Sequence, residues 1–106
     1  MATVTYSARS GGIVNTVVGS FTSDNAAQTL TLGFKPIYVK VINETDAIVW
    51  EVLASSASTK TVKYNGTGPT IAVDTGSAIV INSDGTVTLS STLCGNSKVI
   101  TFVAYA

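Results

Sequence analysis

Short runs of the chain alternate apolar and polar residues. In residues 29–34 the side chains of Leu30, Leu32 and Phe34 share one face, and small or polar residues occupy the other. A period of two matches the pleat of a β-strand, in which successive side chains point to opposite faces. By the same reasoning, strands are predicted over residues 37–43, 47–54, 60–64, 78–82, 86–90 and 98–106.

Turn residues separate these runs. The strongest hairpin signal is Ser83-Asp84-Gly85, because Asp-Gly favours a tight reversal between two strands. The last run, residues 98–106, is apolar on both faces, which indicates a central strand or one buried against a neighbour. The only helix candidate is residues 23–28, which we interpret as a turn or a single 3₁₀ turn.

Many short strands with turns every 8 to 12 residues or so predict an all-β fold. We expect residues 1–106 to form a single-domain antiparallel β-sandwich that is jelly-roll-like. Residues 1–12 are interrupted by Ser10-Gly11-Gly12. They form either an N-terminal arm that pairs with another chain or an ordinary first strand.

Charge is scarce in this chain. Only 11% of residues are charged and the formal net charge is +0, while 45% are hydrophobic and the mean hydropathy is +0.41. Such a composition predicts a neutral surface that a partner partly covers. The scattered basic residues argue against nucleic-acid binding and against a polybasic membrane anchor. No apolar run is long enough to span a bilayer.

Catalytic and metal-binding patterns are also scarce. The chain has no histidine and a single cysteine, Cys94, which excludes His-dependent catalysis, a zinc cluster and an internal disulfide. Glu44 and Asp46 lie in a predicted turn, where acidic residues are common. We therefore expect no enzyme activity, no catalytic residue, no bound metal and no cofactor.

Trp50 is the only tryptophan, and it allows three interpretations. It lies in the core, anchors a protein interface or offers its ring as a platform for a sugar, because indole combines a large apolar surface with one polar group. The alternation of residues 47–54 places Trp50 on the same face as Ile48 and Val52. The core is therefore the first expectation.

Residues 33–43, GFKPIYVKVIN, resemble a Gly-Phe-x-Pro-x-Tyr-Val-x-Val-x-Asn block of small phage structural proteins. A Gly- and Thr-rich segment precedes this block, and an Asn-Glu-Thr turn and a tryptophan-containing strand follow it. Residues 77–89, SAIVINSDGTVTL, are similar to the family too. The chain resembles tailed-phage capsid decoration (cement) proteins and, less closely, modules of tail fibres.

The resemblance implies a protein on the outer capsid surface that bridges subunits of the major capsid protein, commonly as a homotrimer. The N-terminal sequence lacks the charged start and apolar block of a signal peptide, so synthesis in the host cytoplasm is expected. We expect the N-terminal stretch to contact the partner by strand addition. Its predicted partner-binding residues are Ala2, Thr3, Val4, Thr5, Tyr6 and Arg9.

Two other functions fit the sequence. A carbohydrate- or receptor-binding module of a tail fibre would show exposed aromatic residues and a polar cleft. A decoration protein would instead show a broad apolar or neutral contact surface. A further alternative is another head or tail component, such as a tail-tube or tail-completion protein.

Overall fold

A computed structural model describes residues 3–9, 15–54, 60–68 and 70–106. Its strands form two antiparallel sheets, which confirms the predicted all-β sandwich. The elements are β1 (Thr5–Arg9), β2 (Thr16–Asp24), β3 (Gln28–Leu30), β4 (Tyr38–Asn43), β5 (Ile48–Leu53), β6 (Thr61–Asn65), β7 (Thr70–Asp74), β8 (Ile79–Ile81), β9 (Val87–Leu89), α1 (Ser91–Cys94) and β10 (Asn96–Tyr105).

The two sheets differ in size. The larger has seven strands in the order β1-β2-β10-β4-β5-β6-β7, and the smaller has three in the order β3-β9-β8. The longest strand, β10, lies between β2 and β4, as its two apolar faces predicted. The chain from β4 to β7 runs as consecutive antiparallel neighbours, so this half of the large sheet is a meander.

The core lies between the two sheets. Alternate residues of the large sheet, among them Val39, Val41 and Phe102, pack against Leu30 and Ile79 of the small sheet. All five side chains are at most 1% exposed. Residues 70–73 of β7 are exposed on both faces. The small sheet therefore covers only part of the large one.

The hairpin predicted at Asp84-Gly85 is present and joins β8 to β9. Gly85 has a φ of 90°, which glycine adopts without steric cost. The Asp84 carboxylate accepts hydrogen bonds from the backbone N–H of Thr86 at 3.0 Å and from its hydroxyl at 2.6 Å. These bonds between Asp84 and Thr86 stabilise the turn, as Asp side chains commonly do two residues before the group they bond.

The structure agrees with the predicted turn in residues 23–28 and differs from the sequence prediction at two other places. In residues 23–28, the strand β2 continues to Asp24 and the chain then turns at Asn25, whose φ is 64°. A helical turn that was not predicted lies at α1, where the Ser90 hydroxyl caps the N-terminus by accepting a bond from Leu93 N–H at 3.1 Å. The strand predicted over residues 29–34 ends at Leu30.

Candidate binding face

One face of the large sheet points away from the small sheet, and we call it the open face. On each strand of the large sheet, every second side chain points to the open face, and the side chains between them point toward the small sheet. Among the described residues, eight large apolar side chains are well exposed, and all except Tyr6 and Ile37 belong to the open face. These six are Val18, Leu53, Ile71, Val73, Val99 and Tyr105, with exposed fractions from 40% to 74%.

Among the described side chains, the strands of the open face carry few charges: Asp24 lies at the end of β2, and the other two charges are opposed. Lys40 and Glu51 lie directly across from each other on β4 and β5. Cross-strand neighbours of opposite charge attract, so this pair adds no net charge to the surface. The open face therefore offers a neutral, largely apolar surface of the kind that protein interfaces bury.

A groove of about 440 Å³ lies on the open face, where β4 to β7 come together. Apolar side chains form much of its wall, and its polar groups come from two tyrosines, the Glu51 carboxylate, Lys60 and Thr61. The lining includes Tyr38, Glu51, Leu53, Val62, Tyr64 and Val73.

Glu51 lies between the two tyrosines of the groove. The Tyr38 hydroxyl donates a hydrogen bond of 2.5 Å to Glu51 Oε2, and the Tyr38 ring stacks on Tyr105 with centroids 4.9 Å apart. Burial, followed by this hydrogen bond and the charge of Glu51, raises the pKa of Tyr38 well above its ordinary value of 10.0. A hydrogen bond to Glu51 likewise raises the pKa of Tyr64.

The raised pKa of Tyr38 predicts a loss of stability at alkaline pH. The folded protein keeps the phenol proton above pH 10.0, whereas the unfolded chain releases it. The free energy of unfolding should therefore hold steady below that pH and fall as the pH rises toward the folded-state pKa. Urea unfolding at a series of pH values, with Tyr38→Phe beside the wild type, measures this slope.

The Tyr38→Phe variant keeps the stacked ring but has no phenol to ionise, so its alkaline slope should be shallower. Tyr105→Phe is the matched control, because Tyr105 belongs to the same ring pair. A Tyr38→Phe slope equal to that of the wild type would contradict the prediction.

The structure places part of the predicted N-terminal contact stretch. Residues 5–9 form β1, an edge strand that pairs with β2 of the same chain. Tyr6 makes an edge-to-face contact with Phe102, and its hydroxyl accepts a bond from Thr31 N–H at 3.2 Å. Thr3 and Thr5 are exposed, and Val4 packs against the core.

Ala2 lies outside the described residues, as do residues 10–12 of the predicted arm and the side chain of Arg9. Binding of a partner by this stretch stays a prediction. The groove and the open face lie mainly on strands outside the predicted N-terminal contact stretch.

The acidic residues of the turn after β4 make structural contacts. Asp46 forms an ion pair of 3.0 Å with Lys98 and accepts a bond from the side chain of Asn43. Glu44 accepts a bond from the Thr101 hydroxyl. Within the described ranges, no group of three or more His, Cys, Asp or Glu residues is placed to hold a metal ion.

Trp50 and Cys94 belong to the interior. Trp50 is 3% exposed, and Lys63 lies over its ring with the ammonium 4.7 Å from the centroid. Cys94 is fully buried in the core, and burial raises the pKa of its thiol to about 11. At neutral pH this thiol is protonated and shielded, so it is a poor nucleophile.

Comparison with known proteins adds no functional assignment to this geometry. No helix in the described part of the chain is long and apolar enough to cross a membrane. No family model, no curated protein and no solved structure matches the chain.

Proposed function

We propose that this protein is a phage structural protein that docks on the outer surface of the expanded capsid. In this role it contacts the major capsid protein and bridges neighbouring subunits. It is made in the host cytoplasm and resides on the virion. The sequence resemblance implies a homotrimer, whereas the free edge of the large sheet favours a dimer, and sedimentation velocity of the purified protein distinguishes the two.

The observation that carries the proposal is the open face. Val18, Leu53 and Val99 lie on three different strands and are 45% to 53% exposed, so the apolar surface is spread over the sheet. Apolar side chains in such numbers on one side of a small domain favour association, because their burial releases water. A flat, neutral sheet face fits a broad protein surface better than it fits a small charged ligand.

Docking of this kind stabilises the capsid by linkage. A protein that binds only the expanded lattice lowers the free energy of that state relative to any state it does not bind. Contacts from one copy are modest, but many copies on one shell act together. Particles without the protein should therefore break at a lower temperature than complete particles.

The test replaces exposed residues of the open face by glutamate. Leu53→Glu and Val18→Glu should each lower affinity for the capsid by about tenfold or more, because burying an unpaired carboxylate costs more than about 1.4 kcal/mol, and occupancy on purified virions should fall with it. Quantitative mass spectrometry of the virions gives copies per particle. Wild-type copy number should be close to the number of capsid subunits or a simple fraction of it.

Thr29→Glu is the matched control. Thr29 is exposed on the small sheet, on the opposite side of the sandwich, so it adds the same charge away from the open face. Occupancy of this variant should equal that of the wild type. Equal occupancy of all three variants would show that the open face is not the docking surface.

A second candidate function has one specific observation in its favour. The groove presents the rings of Tyr38 and Tyr64 beside the carboxylate of Glu51, and aromatic rings with a nearby acceptor suit a sugar. This arrangement supports a carbohydrate-binding module of a tail fibre. A few copies per virion, with Tyr64→Ala lowering attachment to host cells, would favour that function over decoration.

A further inference from the structure

The strand β7 forms an edge of the large sheet with one side unpaired among the described residues. It pairs with β6 in a register that sets Lys63 opposite Ala72 and Tyr64 opposite Ile71. Successive residues of a strand direct their N–H and C=O groups to alternate sides. On β7, every second residue therefore directs these groups to the free edge.

The hydrogen bond from Gly66 N–H to Ala47 C=O fixes that alternation. Since Gly66 bonds toward β5, Tyr64 and Val62 do so as well, and the residues between them bond toward β7. On β7 the partners of those residues are Thr70, Ala72 and Asp74. The N–H and C=O groups of Ile71 and Val73 therefore point away from β6, to the free edge.

Several of the usual protections of an edge strand are missing from β7. Natural edges carry lysine, proline or a bulge that prevents pairing with another chain. Residues 70–74 read TIAVD, with no lysine and no proline, and their register with β6 has no bulge. Ile71 is 74% exposed and Val73 is 61% exposed. This edge is suited to pairing.

We infer that β7 pairs with β7 of a second copy of this chain, antiparallel about a two-fold axis at Ala72. In this register Ile71 of each copy lies opposite Val73 of the other, and Thr70 lies opposite Asp74. The strand is thus complementary to itself. Apolar side chains meet on the open face, hydroxyl meets carboxylate on the other face, and the two Asp74 residues lie at opposite ends.

Neighbouring registers are less favourable. A register centred on Ile71 places Val73 opposite Pro69, which has no N–H to donate to the ladder. A register centred on Val73 sets Ile71 opposite Thr75 and loses the apolar pair. The register centred on Ala72 keeps both apolar pairs and the four backbone hydrogen bonds of Ile71 and Val73.

A second copy fits this edge better than β1 of another molecule does. Neighbouring strands of the large sheet are all antiparallel, so β1 and β7 run in the same direction. A ring that continues the sheet from β7 to β1 requires a parallel pair, whereas the two-fold pairing is antiparallel. Antiparallel pairs are slightly more stable per residue.

The pairing joins two large sheets edge to edge, with both open faces on one side. On the basis of the proposed function, such a dimer carries two docking faces and can bridge two capsid subunits. The interface is small, below about 1,000 Å², so the dimer should be reversible and depend on protein concentration. It forms without any capsid, so its test does not depend on the docking proposal.

Ala72→Cys tests the register on the purified protein. Ala72 faces itself across the axis in a non-hydrogen-bonded pair, where the two Cα atoms are about 4.5 Å apart, within reach of a disulfide. Mild oxidation should yield a covalent dimer on a non-reducing gel. Cys94 does not compete, because it is fully buried.

Thr75→Cys is the matched control, since Thr75 is exposed close to Ala72 but lies well away from its own copy across the axis. Rapid dimer formation by Ala72→Cys alone supports the pairing, and equal or no cross-linking of the two variants overturns it. In sedimentation velocity the wild type should show a concentration-dependent dimer, and a monomer or a trimer would overturn the pairing. Val73→Pro should be a folded monomer, because it removes only an outward N–H.

Discussion

Gly19→Ala is expected to destabilise the protein more than any other single-methyl addition to the described glycines. Gly19 lies within β2, between β1 and β10. A Cβ atom built there would overlap the carbonyl oxygen of Thr5 and approach the Phe102 ring to 2.5 Å. Backbone on one side and a buried ring on the other leave little room to relax. We expect a loss near the upper end of about 1–3 kcal/mol.

Urea unfolding of the variant and the wild type measures this loss. Gly68→Ala is the control, because a Cβ at Gly68 meets no atom within 4 Å. Its unfolding midpoint should match the wild type. If Gly19→Ala leaves the midpoint unchanged, then β1 does not lie against β2 in the described register.

Phe102→Ala is expected to lower the free energy of unfolding by about 3–5 kcal/mol. Phe102 is 1% exposed and lies on β10 in the middle of the large sheet. Removal of its ring leaves a cavity between the sheets and also takes away the edge-to-face contact with Tyr6. Domains of this size have a total stability of about 5–15 kcal/mol, so the variant should be close to unfolding at physiological temperature.

Val99→Ala is the matched control for this prediction. Val99 lies on the same strand but is 45% exposed on the open face, so its truncation leaves no cavity. Thermal unfolding followed by circular dichroism should give a midpoint close to that of the wild type. Similar losses for the two variants would argue against a core centred on Phe102.

Sequence patterns predicted the fold where the signal is local. The turn at Asp84-Gly85 and the two apolar faces of residues 98–106 each reflect a few neighbouring residues, and both predictions hold. The turn of helix at Ser91–Cys94 was missed, although Ser90 as a cap and Gly95 after the helix are a detectable signal. The observed strand ends at Leu30 and is shorter than the one predicted over residues 29–34, because alternation alone does not show where hydrogen bonding stops.

The groove could not be predicted, because it depends on register between strands. Tyr38 and Glu51 lie on different strands and meet because β4 and β5 pair with Lys40 opposite Glu51. Tyr64 joins them through the pairing of β5 with β6. No local spacing in the sequence encodes either alignment. The open face has the same origin, since partial coverage by the small sheet is a property of the assembled layers.

The place of β10 in the large sheet has a consequence for synthesis. This strand comes last along the described chain, yet it joins β2 to β4 at the centre of the sheet. While the ribosome is still adding residues 96–105, no strand connects β1 and β2 by hydrogen bonds to the meander from β4 to β7. Nascent chains therefore expose the unpaired edges of β2 and β4 until translation of β10 is complete. Unpaired strand edges promote aggregation. Pairing of such distant segments also predicts slow folding.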